Sequence, residues 1–219
     1  PGMPKFSPAL VVITALLLLN LPSVKNFGEI EFWFAVIKIV AIVALIVVGG
    51  ALVAIGFTSP SGAQASVTNL WNDGGMFPNH FIGFLGAFQI AVFAFMGSEL
   101  VGTTAAETQD PEKTLPKAIN AVPVRIMVFY VGALAIILMV TPWRLVSPDN
   151  SPFVAMFTLA GLGIAAHIIN FVVITSATSS ANSGIFSTSR MAFGLARERS
   201  APQFLGKLSG NGVPRNALF

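Results

Sequence analysis

Cysteine is absent from the 219 residues, which excludes disulfide frameworks, thiolate metal sites and cysteine nucleophiles together. Charge is scarce: 10% of residues are Asp, Glu, Lys or Arg, against about 25% in an ordinary soluble domain. With 54% hydrophobic residues and a mean hydropathy of +0.79, too little polar surface remains to coat a globule in water. An ordinary soluble enzyme is thereby excluded. The only histidines, His80 and His167, have no companion at metal-ligand spacing, so neither a metal nor another cofactor is expected. The net charge of +3 is small and dispersed, which points away from a nucleic-acid partner. There is no basic n-region or small-residue cleavage site after Pro1-Gly2, and Asn216-Ala217-Leu218-Phe219 reads as the first turn of a further apolar helix. These ends lead us to expect an internal piece of a larger membrane protein.

What the chain has is long apolar runs. A bilayer core needs about 20 apolar residues of helix. Five segments qualify, at about 8–22, 29–56, 81–107, 117–141 and 164–196. The first is short and opens on Ser7-Pro8, an N-cap followed by a first-turn proline. The fifth would be ~50 Å long, so its last turns project into water. The expected fold is therefore an all-α membrane protein with about five transmembrane helices in a single domain over 1–219. Gly/Pro/Ser/Asn-rich stretches separate the segments, the longest at about 57–80, and 151–160 suggests a short interfacial helix. Asp110-Pro111 reads as the start of a short surface helix acting as an elbow, and Arg190 as an interfacial anchor. Trp33, Trp71 and Trp143 fall near predicted segment ends, as in an aromatic belt.

Basic residues set the orientation. Lys5 and Arg144 fall on one side. Lys25, Lys113, Lys117, Arg125, Arg190, Arg197, Arg199, Lys207 and Arg215 fall on the other, which is expected to be cytoplasmic.

The third segment carries the clearest chemistry. After an apolar stretch to Phe95, the run Met96-Gly97-Ser98-Glu99 places a glycine, a hydroxyl and a carboxylate at membrane depth. A helix broken there exposes backbone groups that lipid cannot satisfy, and transporters use such breaks to bind polar substrate groups. The carbonyls of Phe93, Ala94 and Met96 are candidate acceptors for an ammonium group. A glycine kink packed against a neighbour is the alternative, and Ser98 and Glu99 argue against it.

Lys38 lies about nine residues into the second segment, where an ammonium costs about 2.5–3.5 kcal/mol on insertion scales. A lysine at that depth can exchange a proton or stand in for a sodium ion; snorkelling to the interface is the simpler role. In the fifth segment Thr175 to Gly184 is a run of small polar residues, most of them suited to close helix packing. Ser176, Thr178 or Ser180 could instead face Lys38 or a coupling ion, and the sequence leaves open which. His167 reads as a packing residue.

Three stretches, FGEIEFWFAVIKIVAIVALIVVG (27–49), FQIAVFAFMGSELVGTTAAETQDPEKTLPKAIN (88–120) and NFVVITSATSSANSGIFSTSRMAFGLA (170–196), resemble the bacterial amino acid permeases of the amino acid/polyamine/organocation superfamily. The resemblance implies an inverted-repeat transporter fold of which this chain supplies the fourth to eighth helices, including the broken sixth. It implies Phe93 as an aromatic gate, Phe93, Ala94 and Met96 as carbonyls for the substrate amino group, Glu99 as the sixth-helix acid and Lys38 in the place of a sodium ion. Gly97 and Ser98 complete the implied substrate site, and Ser98 departs from the apolar residue that relatives often carry. The implied function is proton-coupled uptake of small zwitterions such as D-serine, D-alanine or glycine across the bacterial inner membrane. The implied partners are the substrate, a proton, the bilayer and the remaining helices of a full-length permease. The alternative within the class is a permease or exchanger for aromatic or basic amino acids. A membrane-embedded enzyme would need a nucleophile–base pair or metal constellation, and the sequence has neither. A channel or receptor on the same fold is the other rival.

Overall fold

The computed structural model describes residues 6–21, 24–60, 62–75, 77–95, 110–147 and 149–218. Among them there is no strand beyond the isolated bridge between Thr58 and Gln64. The helices are α1 (Ser7–Asn20), α2 (Val24–Ala54), α3 (His80–Ala91), α4 (Pro111–Arg125), α5 (Ala133–Val140), α6 (Pro152–Leu159), α7 (Gly163–Arg197) and α8 (Arg215–Leu218). Among the described residues, three runs are long and apolar enough to cross a membrane: Phe27–Ala54, Pro111–Val140 and Gly163–Arg197. Helices α1 and α3 are apolar but shorter. Val40, Val47, Ile82 and Ile90 are among many large apolar side chains left exposed. Helices apolar on all sides belong in lipid or against other apolar helices.

Local chemistry moves several boundaries from their sequence-based places. Ser7 is the first residue inside α1; the N-cap is Phe6, with no side-chain cap bond, and the proline alone starts the helix. α2 begins at Val24, so Trp33 sits well inside it, away from a helix end. Asp110 does occupy the N-cap of α4, but in a left-handed conformation (φ 47°) and without a side-chain cap bond. Its backbone carbonyl accepts instead from Lys113 and Thr114 N–H, at 3.1 and 3.0 Å. The expected elbow helix is also not separate from the apolar segment after it. α4 runs on through a π-helical stretch, Ile126–Gly132, into α5, despite Pro116 and Pro123 inside it. Pro123 has no N–H to offer the Ile119 carbonyl and its ring crowds that oxygen. The wider π turn just beyond keeps the run continuous.

Two compact units are described separately. The first holds α1, α2 as far as Ile37, and the chain from Ile174 onward. The second holds the described residues of 38–95 and 110–173.

The second unit has an apolar core of Leu45 and Leu52 from α2, Ala133, Ile137 and Val140 from α5, Met156 and Phe157 from α6, and Ala166 and Ile169 from α7. Gly49 lets α2 approach this core closely: a Cβ there would overlap an Ile136 methyl and lie 3.1 Å from Met156 Sδ. The 57–75 connection is tied down by polar bonds. Ser66 N–H and Asn69 Nδ2 both donate to the Met139 carbonyl at 2.9 Å, so this carbonyl in the last turn of α5 is satisfied. Trp143 Nε1 donates to the Asp73 carbonyl at 3.2 Å, and Arg144 lies 3.7 Å from the Asp73 carboxylate. The short 151–160 helix is present as α6. It closes on Gly161 (φ 75°), with Leu162 N–H donating to Phe157 O and Gly161 N–H to Thr158 O, a Schellman stop.

The same stop ends α7 in the first unit, but with Arg199 (φ 62°) in the left-handed position. A residue with a Cβ pays about 1–2 kcal/mol for that conformation. Arg199→Gly is therefore expected to stabilise the full-length protein by about 1 kcal/mol. A rise in its thermal unfolding midpoint in detergent would show this, and an unchanged or lower midpoint would contradict it.

Candidate functional site

The stretch that carries the predicted substrate site is reached through α3. Its α-helical bonding ends at Ala91, and Val92–Phe95 tightens to a 3₁₀ turn. Val92 N–H is shared between the Ile90 and Phe88 carbonyls, which marks the change of pitch. Phe93 and Ala94 lie in this turn, and the Phe93 ring is exposed. Met96, Gly97, Ser98 and Glu99 lie outside the described residues. The α-helix thus gives way four residues before the expected end of its apolar half.

The other predicted residues divide between the two units. Lys38 is half-buried on α2, in the second unit. Ser176 and Ser180 stand on α7 in the first. Ser176 is half-buried, and Ser180 is exposed and donates its hydroxyl to the Ser176 carbonyl at 3.1 Å. Thr178 likewise donates to the Ile174 carbonyl at 2.9 Å. Both hydroxyls thus bond to their own helix, a common habit of Ser and Thr inside helices.

A polar constellation that the sequence reading did not single out occupies the first unit. Glu31 of α2 receives two bonds from α7: Ser179 Oγ donates to Oε2 at 2.6 Å, and Asn182 Nδ2 to Oε1 at 2.8 Å. Asn182 Oδ1 in turn accepts from Asn20 Nδ2 of α1 at 2.7 Å, and the same Nδ2 donates to the Leu16 carbonyl at 2.9 Å. Ser179 and Asn182 are each 1% exposed and Asn20 is 6% exposed. The amide of Asn20 cannot be turned round cheaply, because its oxygen would then face the Leu16 carbonyl. This holds even though its Oδ1 is buried without a partner among the described residues, a cost of about 1–3 kcal/mol. The orientation of Asn20 fixes that of Asn182, which must present its NH₂ to Glu31. One turn before Glu31, the Phe27 ring stacks on Phe186 at 3.7 Å between centroids. Arg190 lies over Phe186 with its guanidinium carbon 3.3 Å from the ring centroid, and donates to the Phe186 carbonyl at 3.3 Å. Arg190 is thus turned onto its own helix and this aromatic pair, with α7 continuing to Arg197.

An open hollow of about 710 Å³ in the second unit is lined in part by Ser59, Thr141, Ser147, Asp149, Thr158 and Asn170. Among the described residues, Lys38, Phe93, Ser176 and Ser180 do not line it.

The sequence matches the amino acid permease family from residue 1 to residue 219. The chain belongs to that family. It is 62% identical over 218 residues to the D-serine/D-alanine/glycine transporter of Escherichia coli strain K12, covering all of this chain and 46% of that protein. It is 55% identical over 219 residues to the amino-acid permease AapA of Bacillus subtilis strain 168, covering 47% of it. It is 45% identical over 219 residues to the aromatic amino acid transport protein AroP of Escherichia coli strain K12, again covering 47%. This permease chain therefore spans about half the length of the relatives it matches. They are named transporters or permeases, so the reading as a membrane-embedded enzyme is set aside. Within the permease family, the all-helical architecture of the described residues and the three long apolar runs are those of a membrane protein.

Proposed function

We propose that the chain is part of a proton-coupled amino acid permease that takes up small zwitterions of the D-serine, D-alanine and glycine class. The observation that carries this reading is the passage of α3 from α-helical to 3₁₀ bonding at Val92, just ahead of Gly97-Ser98-Glu99. In an apolar helix, each carbonyl released from the i to i−4 pattern needs a new donor. A substrate ammonium group supplies up to three. Phe93, Ala94 and Met96 offer the carbonyls, Gly97 allows close approach, and Ser98 adds a hydroxyl. Phe93 closes over the bound substrate, and Glu99 and Lys38 handle the proton, with Ser176 and Ser180 near its path.

The choice of small substrates is supported by the 62% identity to a relative named for them, against 45% to one named for aromatic substrates. The excess of Lys and Arg around Lys25, Arg125 and Arg197 supports a cytoplasmic position for those ends, in a multi-pass protein of the bacterial inner membrane. The remaining helices of the full-length protein complete the pocket, so the isolated chain does not transport.

Competition against labelled glycine uptake in cells expressing the full-length permease tests the substrate class. Unlabelled D-serine, D-alanine and glycine are expected to compete at least ~10-fold more strongly than phenylalanine or lysine, a difference of about 1.4 kcal/mol. Preferential competition by an aromatic or basic amino acid would replace this reading with the broader-pocket one.

A further inference from the structure

We infer that α2 from Lys38 onward, the 57–75 loop, α5 and α6 stay together as one block while the full-length permease changes access. This rests on the reading as an amino acid transporter, and on neither its substrate class nor its coupling ion. Two joints of different kinds hold the block.

The first joint is a steric interlock inside the apolar runs. At Gly49 of α2, the space that a Cβ would take is filled by the Ile136 side chain of α5, with Met156 Sδ of α6 beside it. Three helices thus meet at one backbone position. Helices shift past one another only where a second packing exists for them to enter. A slip of α2 by one turn would bring Leu45 or Val53 to the place of Gly49. Neither fits where a bare Cβ already overlaps, so α2 has no second register against α5.

The second joint is polar and ties the two helix ends. α2 stops at Gly56 (φ 61°), with Phe57 N–H donating to Leu52 O at 3.0 Å and Gly56 N–H to Val53 O at 3.1 Å. The chain then folds back, and Ala65 N–H donates to Phe57 O at 2.7 Å. Ala65 is itself buried in the core that α2 and α5 share. Asn69 uses both amide hydrogens, one on Gln64 O at 2.8 Å and the other on Met139 O at 2.9 Å. It therefore joins the turn after α2 to the last turn of α5. A tilt that parted the two ends would strip the Met139 carbonyl of both its donors, Ser66 N–H and Asn69 Nδ2, at once.

The block stops there. Among the described residues, α3, α4 and the π-helical stretch after α4 bury no residue. The substrate turn that follows α3 is thus outside the block, whereas Lys38 stands at its edge. Access changes by tilting of the block as a whole against other elements, and not by movement within it.

The test fixes α2 to α5 covalently. A Cβ at position 49 would lie 3.7 Å from the Ile136 Cβ. A disulfide requires about 3.5–4.5 Å between these atoms. Gly49→Cys with Ile136→Cys also removes the overlapping methyl group. The pair is placed in a full-length permease otherwise free of cysteine, oxidised with a membrane-permeant reagent and then reduced. Uptake is followed with whichever labelled amino acid the reduced protein carries fastest. Failure of the small-substrate reading then appears in that choice, and failure of this inference in the effect of the bond. Oxidised protein is expected to keep uptake within ~2-fold of the reduced protein. A larger fall that reduction reverses overturns the block. Should the pair fail to assemble, or reduction fail to restore uptake, spin labels on Ile55→Cys and Leu145→Cys, both at exposed positions, replace it. Their separation is expected to hold within ~2 Å between substrate-free and substrate-saturated permease, and a larger shift overturns the block.

Discussion

Gly49→Leu is expected to be the most damaging single change to the folding of the second unit. A Cβ alone at this position already overlaps the Ile136 side chain, and Met156 Sδ closes the other side at 3.1 Å. Met156 is buried at 1% exposure, so it has no open space into which to retreat. Leucine adds three more carbons beyond that Cβ. Overpacking of a well-filled core costs about 1–3 kcal/mol and occasionally more, and here α2 must separate from α5 and α6 to make room. Gly50, the next residue, meets nothing within 4 Å of its own added Cβ. Gly50→Leu is therefore the matched control. The measurement is the yield of monodisperse full-length permease after detergent extraction and heating. Loss with Gly49→Leu and near-normal yield with Gly50→Leu is the expected pattern. Equal yields would mean that the α2 approach is not tight.

The second large effect is functional. Lys38→Met in the full-length permease removes the ammonium and keeps a flexible apolar stem of similar length. If Lys38 moves the coupling proton, uptake loses its link to the pH gradient. Each proton carried per substrate sustains about tenfold accumulation for each pH unit across the membrane. With the outside one unit more acidic, accumulation by Lys38→Met is expected to fall to near equality across the membrane, while exchange of labelled for unlabelled glycine continues. Uptake that keeps its full dependence on the pH gradient would refute the role of Lys38.

The apolar runs were legible because composition and length decide them with little help from context. Their ends were less so. The Ser7-Pro8 pair suggested a side-chain cap, yet the proline suffices to start α1 and Ser7 falls inside. Asp110-Pro111 suggested a short elbow helix ahead of the span, yet Pro111–Arg125 and the π turn from Ile126 to Gly132 form one continuous run with it. Such accommodations are backbone responses that residue preferences do not encode. The expected break at Met96-Gly97-Ser98-Glu99 lies outside the described residues, and the change to 3₁₀ bonding at Val92, ahead of it, had no signal in the apolar residues around it.

Glu31, Asn20 and Asn182 escaped notice for a different reason. Depth along a helix can be counted in sequence, and Glu31 lies near a helix start, where a carboxylate is ordinary. Its significance comes from partners 148 and 151 positions away, and theirs from Asn20, 162 positions from Asn182. The usable signal was the face of α7. Ser179, Asn182 and Phe186 recur at spacings of three and four residues, and all three are buried. The expected polar positions were Ser176, Thr178 and Ser180, and the hydroxyls of Thr178 and Ser180 bond to their own helix.

The double clasp on the Met139 carbonyl has a mechanical corollary. It holds one extremity of the 30-residue run Pro111–Val140. Ala133, Ile137 and Val140 pack into the core beside the clasp, whereas Pro111–Arg125 and Ile126–Gly132 bury no residue, and a rod held along one end pivots more readily than it slides. At about 1.5 Å per residue this lever is some 45 Å long, so a tilt of about 5° at the clasp swings Pro111 by roughly 4 Å. Small angular changes beside the 57–75 loop are thus magnified into displacements the size of a water molecule or more at the opposite extremity.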